Sequence, residues 1–274
     1  MKYIFLNLKR FDVPAHLGGV NRVDPISWAA DIIRDTLNIR SYSGVEFAAF
    51  FPEAHLINAV QEKRKLNSPF HIGCQSIFRE DVHPGKNFGA FTTNRPAASM
   101  QALGVDYTII GHCEERRDKT EILAEANCTD KAAVNRLLNK QVKSAIQAGI
   151  KVLYCIGETA EEQENKFNTL EDQLKLGLEG VDLSKVVIAY EPVWAIGPGK
   201  TPPDADYIRM IARFIKSSNE TLPVVYGGGL KTENAAMLAG IAEIDGGLIA
   251  LTRFTGEIGF YPEEFLEIVS LYLL

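Results

Sequence analysis

The chain has 274 residues, 46% of them hydrophobic and 23% charged, a balance ordinary for a water-soluble globular protein. Its net charge of −6, from 29 basic and 35 acidic residues, argues against broad binding to nucleic acid or to an anionic membrane. It leaves room for an anionic small substrate, because a local cluster of donors outweighs a distant net charge. No apolar run approaches a membrane span, and the opening stretch MKYIFLNLKR is interrupted too early for a secretory signal. Cys74, Cys113, Cys128 and Cys155 form no CxxC or metal-like spacing, so a reducing, cytoplasmic setting is expected.

Short apolar runs recur along the chain. They are YIFLNL (3–8), GVEFAAFF (44–51), FHIGCQS (70–76) and YTIIGH (107–112), then KVLYCIG (151–157), VVIAYEP (186–192), VVYGG (224–228) and GGLIAL (246–251). Most are too short and too continuously apolar for amphipathic helices, and they suit strands buried on both faces. Between them lie segments with helical spacing, at 25–38, 53–64, 96–103, 130–148, 160–179, 203–218, 231–239 and 262–272. In the segment 130–148, for example, Ala133, Leu137, Val142 and Ile146 fall near one face. Eight strand–helix pairs without a linker or composition break predict one (β/α)8 barrel covering residues 1–274 as a single domain. A doubly wound open sheet is the rival, but no GxGxxG follows the first strand, which weakens its dinucleotide-binding version.

A barrel of this kind carries its chemistry at the C-terminal ends of the strands. Asn7 and Lys9 close the first run, and a two-residue spacing in extended chain puts both side chains on one side. His112 ends the fourth run ahead of an acidic stretch. There it can cap the strand, or stand at the start of a short helix whose dipole favours neutral imidazole. Glu114 and Glu115 would oppose that preference. Glu191 ends the sixth run, just before the glycine-rich IGPG. Alone it reads as an ion-paired acid, but its company shifts the balance. A carboxylate base, a histidine donor and a cation can remove a proton beside a carbonyl and stabilise the enediolate that forms. Gly197 in IGPG and Gly227, Gly228 and Gly229 in YGGG can expose backbone N–H groups to an anion such as phosphate. The histidines lack ligand spacing, and no GxSxG or Walker sequence is present, so neither a metal nor a cofactor is indicated.

The stretches NLK (7–9), GAFT (89–92), IIGHCEERR (109–117), CIGET (155–159), AYEPVWAIGPGK (189–200) and YGGG (226–229) together resemble the triosephosphate isomerase family along nearly the whole chain. The resemblance implies a cofactor-independent sugar-phosphate isomerase. Glu191 would be the base, His112 the electrophile, Lys9 the oxyanion's cation and Asn7 an orienting group, with Glu114 supporting them. Residues 192–200 would form a lid that excludes water from the enediolate. A homodimer is implied, with GAFT inserted into the partner.

The departures from the family are concentrated at the phosphate. The Gly-Gly pair expected after strand eight is Ala250-Leu251, and the serine after YGG is Gly229. Thr252 and Arg253 are the nearest replacement donors. Pro198 stands where the lid usually has threonine, which predicts a stiffer lid. Glu115 replaces an arginine that pairs across the dimer, and with Arg95 at the other end the two charges read as swapped. Triose phosphate is the default substrate. A four-carbon ketose phosphate such as erythrulose phosphate is the runner-up, and a catalytically inactive binding barrel is the rival from another class.

Overall fold

The computed structural model describes residues 1–274 apart from Lys131 and Pro198. Eight strands, β1 (Lys2–Asn7), β2 (Val45–Phe51), β3 (His71–Gln75), β4 (Tyr107–Ile110), β5 (Lys151–Ile156), β6 (Val186–Tyr190), β7 (Val224–Tyr226) and β8 (Gly246–Ile249), pair in parallel. They close in chain order, β8 returning to β1. The outer layer holds α1 (Trp28–Asp35), α2 (Leu56–Leu66), α3 (Ala97–Leu103), α4 (Cys113–Glu125), α5 (Ala133–Gln147), α6 (Lys166–Gly177), α7 (Ala205–Ser217), α8 (Ala235–Ala239) and α9 (Pro262–Leu273).

The strands are buried on both faces, which explains their unbroken apolar sequences. Side chains alternate, and two apolar cores result. Ile4 and Leu6 of β1 pack outward against the helices. Phe5, Phe50, Leu153, Val187, Ala189 and Leu248 fill the barrel interior. At the N-terminal end Glu46 accepts hydrogen bonds from Tyr107 Oη (2.5 Å) and Lys151 Nζ (2.6 Å), closing the floor with a satisfied polar group. The open end is the one at the strand C-termini. Phe5 points inward, so Asn7 follows it to that mouth. Val187 and Ala189 point inward, and Glu191 continues their row.

One helix differs from its expectation. The short helix after His112 is α4, 13 residues long, with its apolar side chains at most partly buried. A helix that buries so little apolar surface has no apolar stripe, so periodicity cannot show its length. It is held instead by helix formers and by pairs one turn apart, such as Glu115–Lys119 at 3.3 Å.

Candidate active site

Asn7 is 4% exposed at the end of β1, and its Oδ1 accepts the backbone N–H of Lys9 at 3.1 Å. That bond closes a turn in which Lys9 adopts φ +39°, a left-handed conformation unusual for a residue with a side chain. The chain is therefore not extended through Lys9, as the two-residue spacing assumed. The turn, braced by Gln75 Nε2 on the Lys9 carbonyl at 2.9 Å, brings both side chains to the mouth. Lys9 Nζ meets Glu114 Oε1 at 2.7 Å. Burial alone would raise the Glu114 carboxyl, but the Lys9 hydrogen bond and charge hold it below the ordinary carboxylate range.

His112 is the N-cap of α4, and its Nδ1 accepts the Glu114 backbone N–H at 3.3 Å. An accepting Nδ1 places the proton of a neutral ring on Nε2. That Nε2 lies 3.2 Å from Glu191 Oε1. Glu191 is 2% exposed, and its Oε2 accepts the Cys113 N–H, the first of α4, at 2.9 Å. Despite the nearby ring, Oε1 has no aligned donor. Burial pushes the Glu191 carboxyl up, and His112, the Cys113 N–H and Lys9 pull it back only in part. The Cys113 thiol beside it is pushed up to about 12 by burial and then by the Glu191 charge. It is a poor nucleophile in that state. Ligand atoms of His112, Cys113 and Glu191 lie within 4.8 Å of one another, a grouping that sequence spacing does not foresee.

Asn7, Lys9, Gln75, Ser76, His112 and Glu114 line a cavity of about 130 Å³ at the mouth. A larger hollow of about 670 Å³ lies to one side, between α4 and α6, with Val193 at its edge. Size does not locate the chemistry here. The smaller cavity carries the cation and the imidazole.

The glycines after β7 stand against Glu191. A Cβ on Gly227 would lie 2.8 Å from Glu191 Cγ, and one on Gly228 would lie 3.0 Å from Pro192 Cγ. Gly229 has φ +98°. At Gly197 a Cβ would meet nothing within 4 Å, so that point of the loop faces open space. Pro198, and the stiffness expected of it, lie outside the described residues.

Two expectations meet contacts within the chain. Thr252 Oγ1 accepts the Tyr261 N–H at 2.9 Å, and Arg253 Nε binds Glu264 Oε1 at 2.7 Å with its guanidinium 3.7 Å over the Tyr261 ring. Both residues belong to a hairpin closed by the Arg253–Gly259 bridge, so each would have to leave these partners to reach a phosphate. Glu115 does not face outward towards a partner's Arg95. Its carboxylate takes Ser76 Oγ at 2.6 Å, Gln141 Nε2 at 2.9 Å and the Gly111 N–H at 2.7 Å. Burial would raise it, but Lys119 and these donors hold it below the ordinary range. Arg95 instead lies 3.8 Å from Glu53 of its own chain.

Sequence reasoning also passed over Glu158, which follows β5 and is fully buried. Its Oε1 accepts Tyr190 Oη (2.9 Å), Trp194 Nε1 (2.9 Å), Tyr207 Oη (3.0 Å) and Gln163 Nε2 (3.2 Å). Trp194 belongs to the first turn of the loop after β6, so this carboxylate anchors the base of that loop. The available signal was an acid directly after an apolar run.

The fold and this cluster define a (β/α)8-barrel protein with a carboxylate, an imidazole and an ammonium at the catalytic end of its strands. The profile of the family described as triosephosphate isomerase matches residues 27–271, and the chain belongs to that family of aldose–ketose isomerases. It is 37% identical to the triosephosphate isomerase of Chloroherpeton thalassium over 217 residues, 74% of this chain and 76% of the other. With that of Alkaliphilus metalliredigens it shares 34% identity over 227 residues, 77% of this chain and 82% of the other. The crystal structure of triosephosphate isomerase from Bartonella henselae superposes with a TM-score of 0.74, covering 100% of this chain and 99% of that one. At 23% identity, that last likeness speaks to the fold alone.

Proposed function

We propose that this isomerase interconverts glyceraldehyde 3-phosphate and dihydroxyacetone phosphate with Glu191 as base, His112 as electrophile and Lys9 and Asn7 as the oxyanion's partners. The observation that carries the reading is the buried Glu191 carboxylate, 3.2 Å from the Nε2 of a histidine whose Nδ1 is occupied. Glu191 takes the proton from the carbon beside the carbonyl, and the electron pair moves onto the carbonyl oxygen. His112 Nε2–H donates to that oxygen while the Lys9 ammonium offsets its charge. The ring then takes a proton from the neighbouring hydroxyl, and Glu191 returns its own to the adjacent carbon. A base whose pKa is raised by burial is better matched to neutral pH than an ordinary glutamate.

In the present arrangement Glu191 is docked on the α4 N-terminus. Closure of the loop 192–200 would draw it towards the substrate and bring the Gly197 N–H over the phosphate. Gly227, Gly228 and Gly229 form the opposite side of that cradle. Thr252 and Arg253 could join only by leaving Tyr261 and Glu264.

The test is kcat/KM across triose and tetrulose phosphates, together with exchange of the substrate C–H proton in deuterated water. Glyceraldehyde 3-phosphate is expected to be preferred and to exchange. A tetrulose phosphate turned over faster would reassign the substrate, and the absence of exchange would leave a binding barrel.

A homodimer completes the reading. Phe88 is 83% exposed directly before the GAFT loop, and Ala90, Thr92, Thr93 and Asn94 are exposed with it. A partner covering Phe88 would stabilise the pair by about 2 kcal/mol. Phe88→Asp is therefore expected to weaken dimerisation by roughly 30-fold or more, read by sedimentation. Wild-type protein that sediments at 30.3 kDa, one chain, would dispose of the dimer. Free cysteines, two of them buried, fit a reducing cytoplasm.

A further inference from the structure

We propose that Lys231 is the cation that grips the substrate's phosphate in this chain, an assignment that rests on the isomerase reading above. The run Gly227–Gly229 brings only backbone N–H groups to the phosphate, and Ala250 and Leu251 after β8 add no polar side chain. A phosphate dianion left short of donors in a closed site is costly, so another group must supply them.

Lys231 occupies the gap. A Cβ built on Gly229 would lie 3.4 Å from Lys231 Cε. The lysine stem thus lies against the last glycine of the cradle. Its Nζ rests 3.9 Å from the centroid of Phe254, a residue of the rebuilt connection after β8. One lysine therefore joins the glycine run after β7 to the connection after β8.

The turn that carries it is fixed. Leu230 N–H bonds the Leu248 carbonyl of β8 at 2.9 Å, Lys231 N–H bonds Asn234 Oδ1 at 2.8 Å, and Asn234 Nδ2 returns to the Gly229 carbonyl at 2.9 Å. The same glycine run abuts Glu191 at Gly227, so the turn that carries Lys231 is continuous with the chain packed against the base.

Charge accounting points the same way. Lys9 is ion-paired with Glu114 and Arg253 with Glu264, whereas Lys231 has no carboxylate within 4.0 Å among the described residues. A cation resting only on an aromatic face is weakly held, and a phosphate oxygen offers it a stronger charge-assisted bond. In the absence of substrate the ring keeps the ammonium parked beside its site.

Lys231→Met keeps the stem and removes the charge; Lys231→Arg restores it. Lys231→Met is expected to raise KM for glyceraldehyde 3-phosphate by about 10-fold or more, with a smaller change in kcat. The inhibition constant of inorganic phosphate should rise by the same factor, and Lys231→Arg should recover most of both. A merely structural lysine would not move phosphate and substrate together. If KM and the phosphate constant of Lys231→Met stay within about twofold of wild type, the assignment is wrong. Calorimetric binding of inorganic phosphate to wild type and Lys231→Met needs no turnover. A tenfold loss there in a protein that fails to isomerise triose phosphates would keep the phosphate grip and reject the reaction instead.

Discussion

Glu191→Asp is expected to lower kcat by about 10²-fold, because a carboxylate withdrawn by one methylene stands about 1 Å from where abstraction occurs. KM should change far less, since the phosphate grip is untouched. Glu191→Gln removes the base and carries a second, independent expectation: the folded protein should become more stable at neutral pH. Burial raises the Glu191 pKa, so between the ordinary carboxylate range and that raised value the native state holds a proton that the unfolded chain has released. Stability from this group is full below that window and is lost as pH rises through it. A neutral glutamine escapes the loss and can still accept the Cys113 N–H. The gain in Tm should therefore be largest at neutral pH and vanish below about pH 4. A glutamine variant less stable than wild type at pH 7 would mean that the carboxylate is satisfied where it sits. The same raised pKa predicts that kcat/KM falls on the acid side at a pH above that of an ordinary glutamate.

The barrel was legible because strands buried on both faces must be written as continuous apolar runs, and these were found within a residue or two of their ends. Inward alternation also makes Asn7 and Glu191 readable, each two residues beyond an interior side chain. Lys9 was placed correctly at the mouth but for an insufficient reason: its left-handed turn depends on the Asn7 side chain, which no periodicity records. Glu115 was misread because its partners, Ser76 and Gln141, lie 39 and 26 residues away and only the fold brings them in. Arg253 has an ion pair that was not legible for a related reason. Its nearness to the altered connection is a sequence fact, while its capture by Glu264 depends on where α9 begins. Lys231 was passed over because a lysine after a glycine turn is ordinary until its missing carboxylate and its aromatic neighbour are seen.

The largest stability effect is expected at Glu158. Several donors converge on one of its oxygens, two of them tyrosine hydroxyls and one the Trp194 indole N–H at 2.9 Å. Glu158→Ala would strand these groups in a dry site, at about 1–3 kcal/mol for each one that water cannot reach. With partial relief by entering water, a loss of about 3 kcal/mol and a fall in Tm of roughly 6–12 °C are expected. Trp194→Phe separates stability from function at the same place. It keeps most of the ring's packing against Tyr207, whose centroid is 5.6 Å away, and deletes only the N–H that ties the loop to Glu158. The loop base should then lose its fixed position, and kcat and KM should change together by a few-fold, as hinge variants do. Glu158→Gln should fall between the two. It can still accept from the donors, but its new NH2 group would occupy the place where Oε2 now has no partner. Urea denaturation and steady-state kinetics on the three variants would decide the matter. If Glu158→Ala proves as stable as wild type, the convergent donors have other partners and the loop is not anchored there.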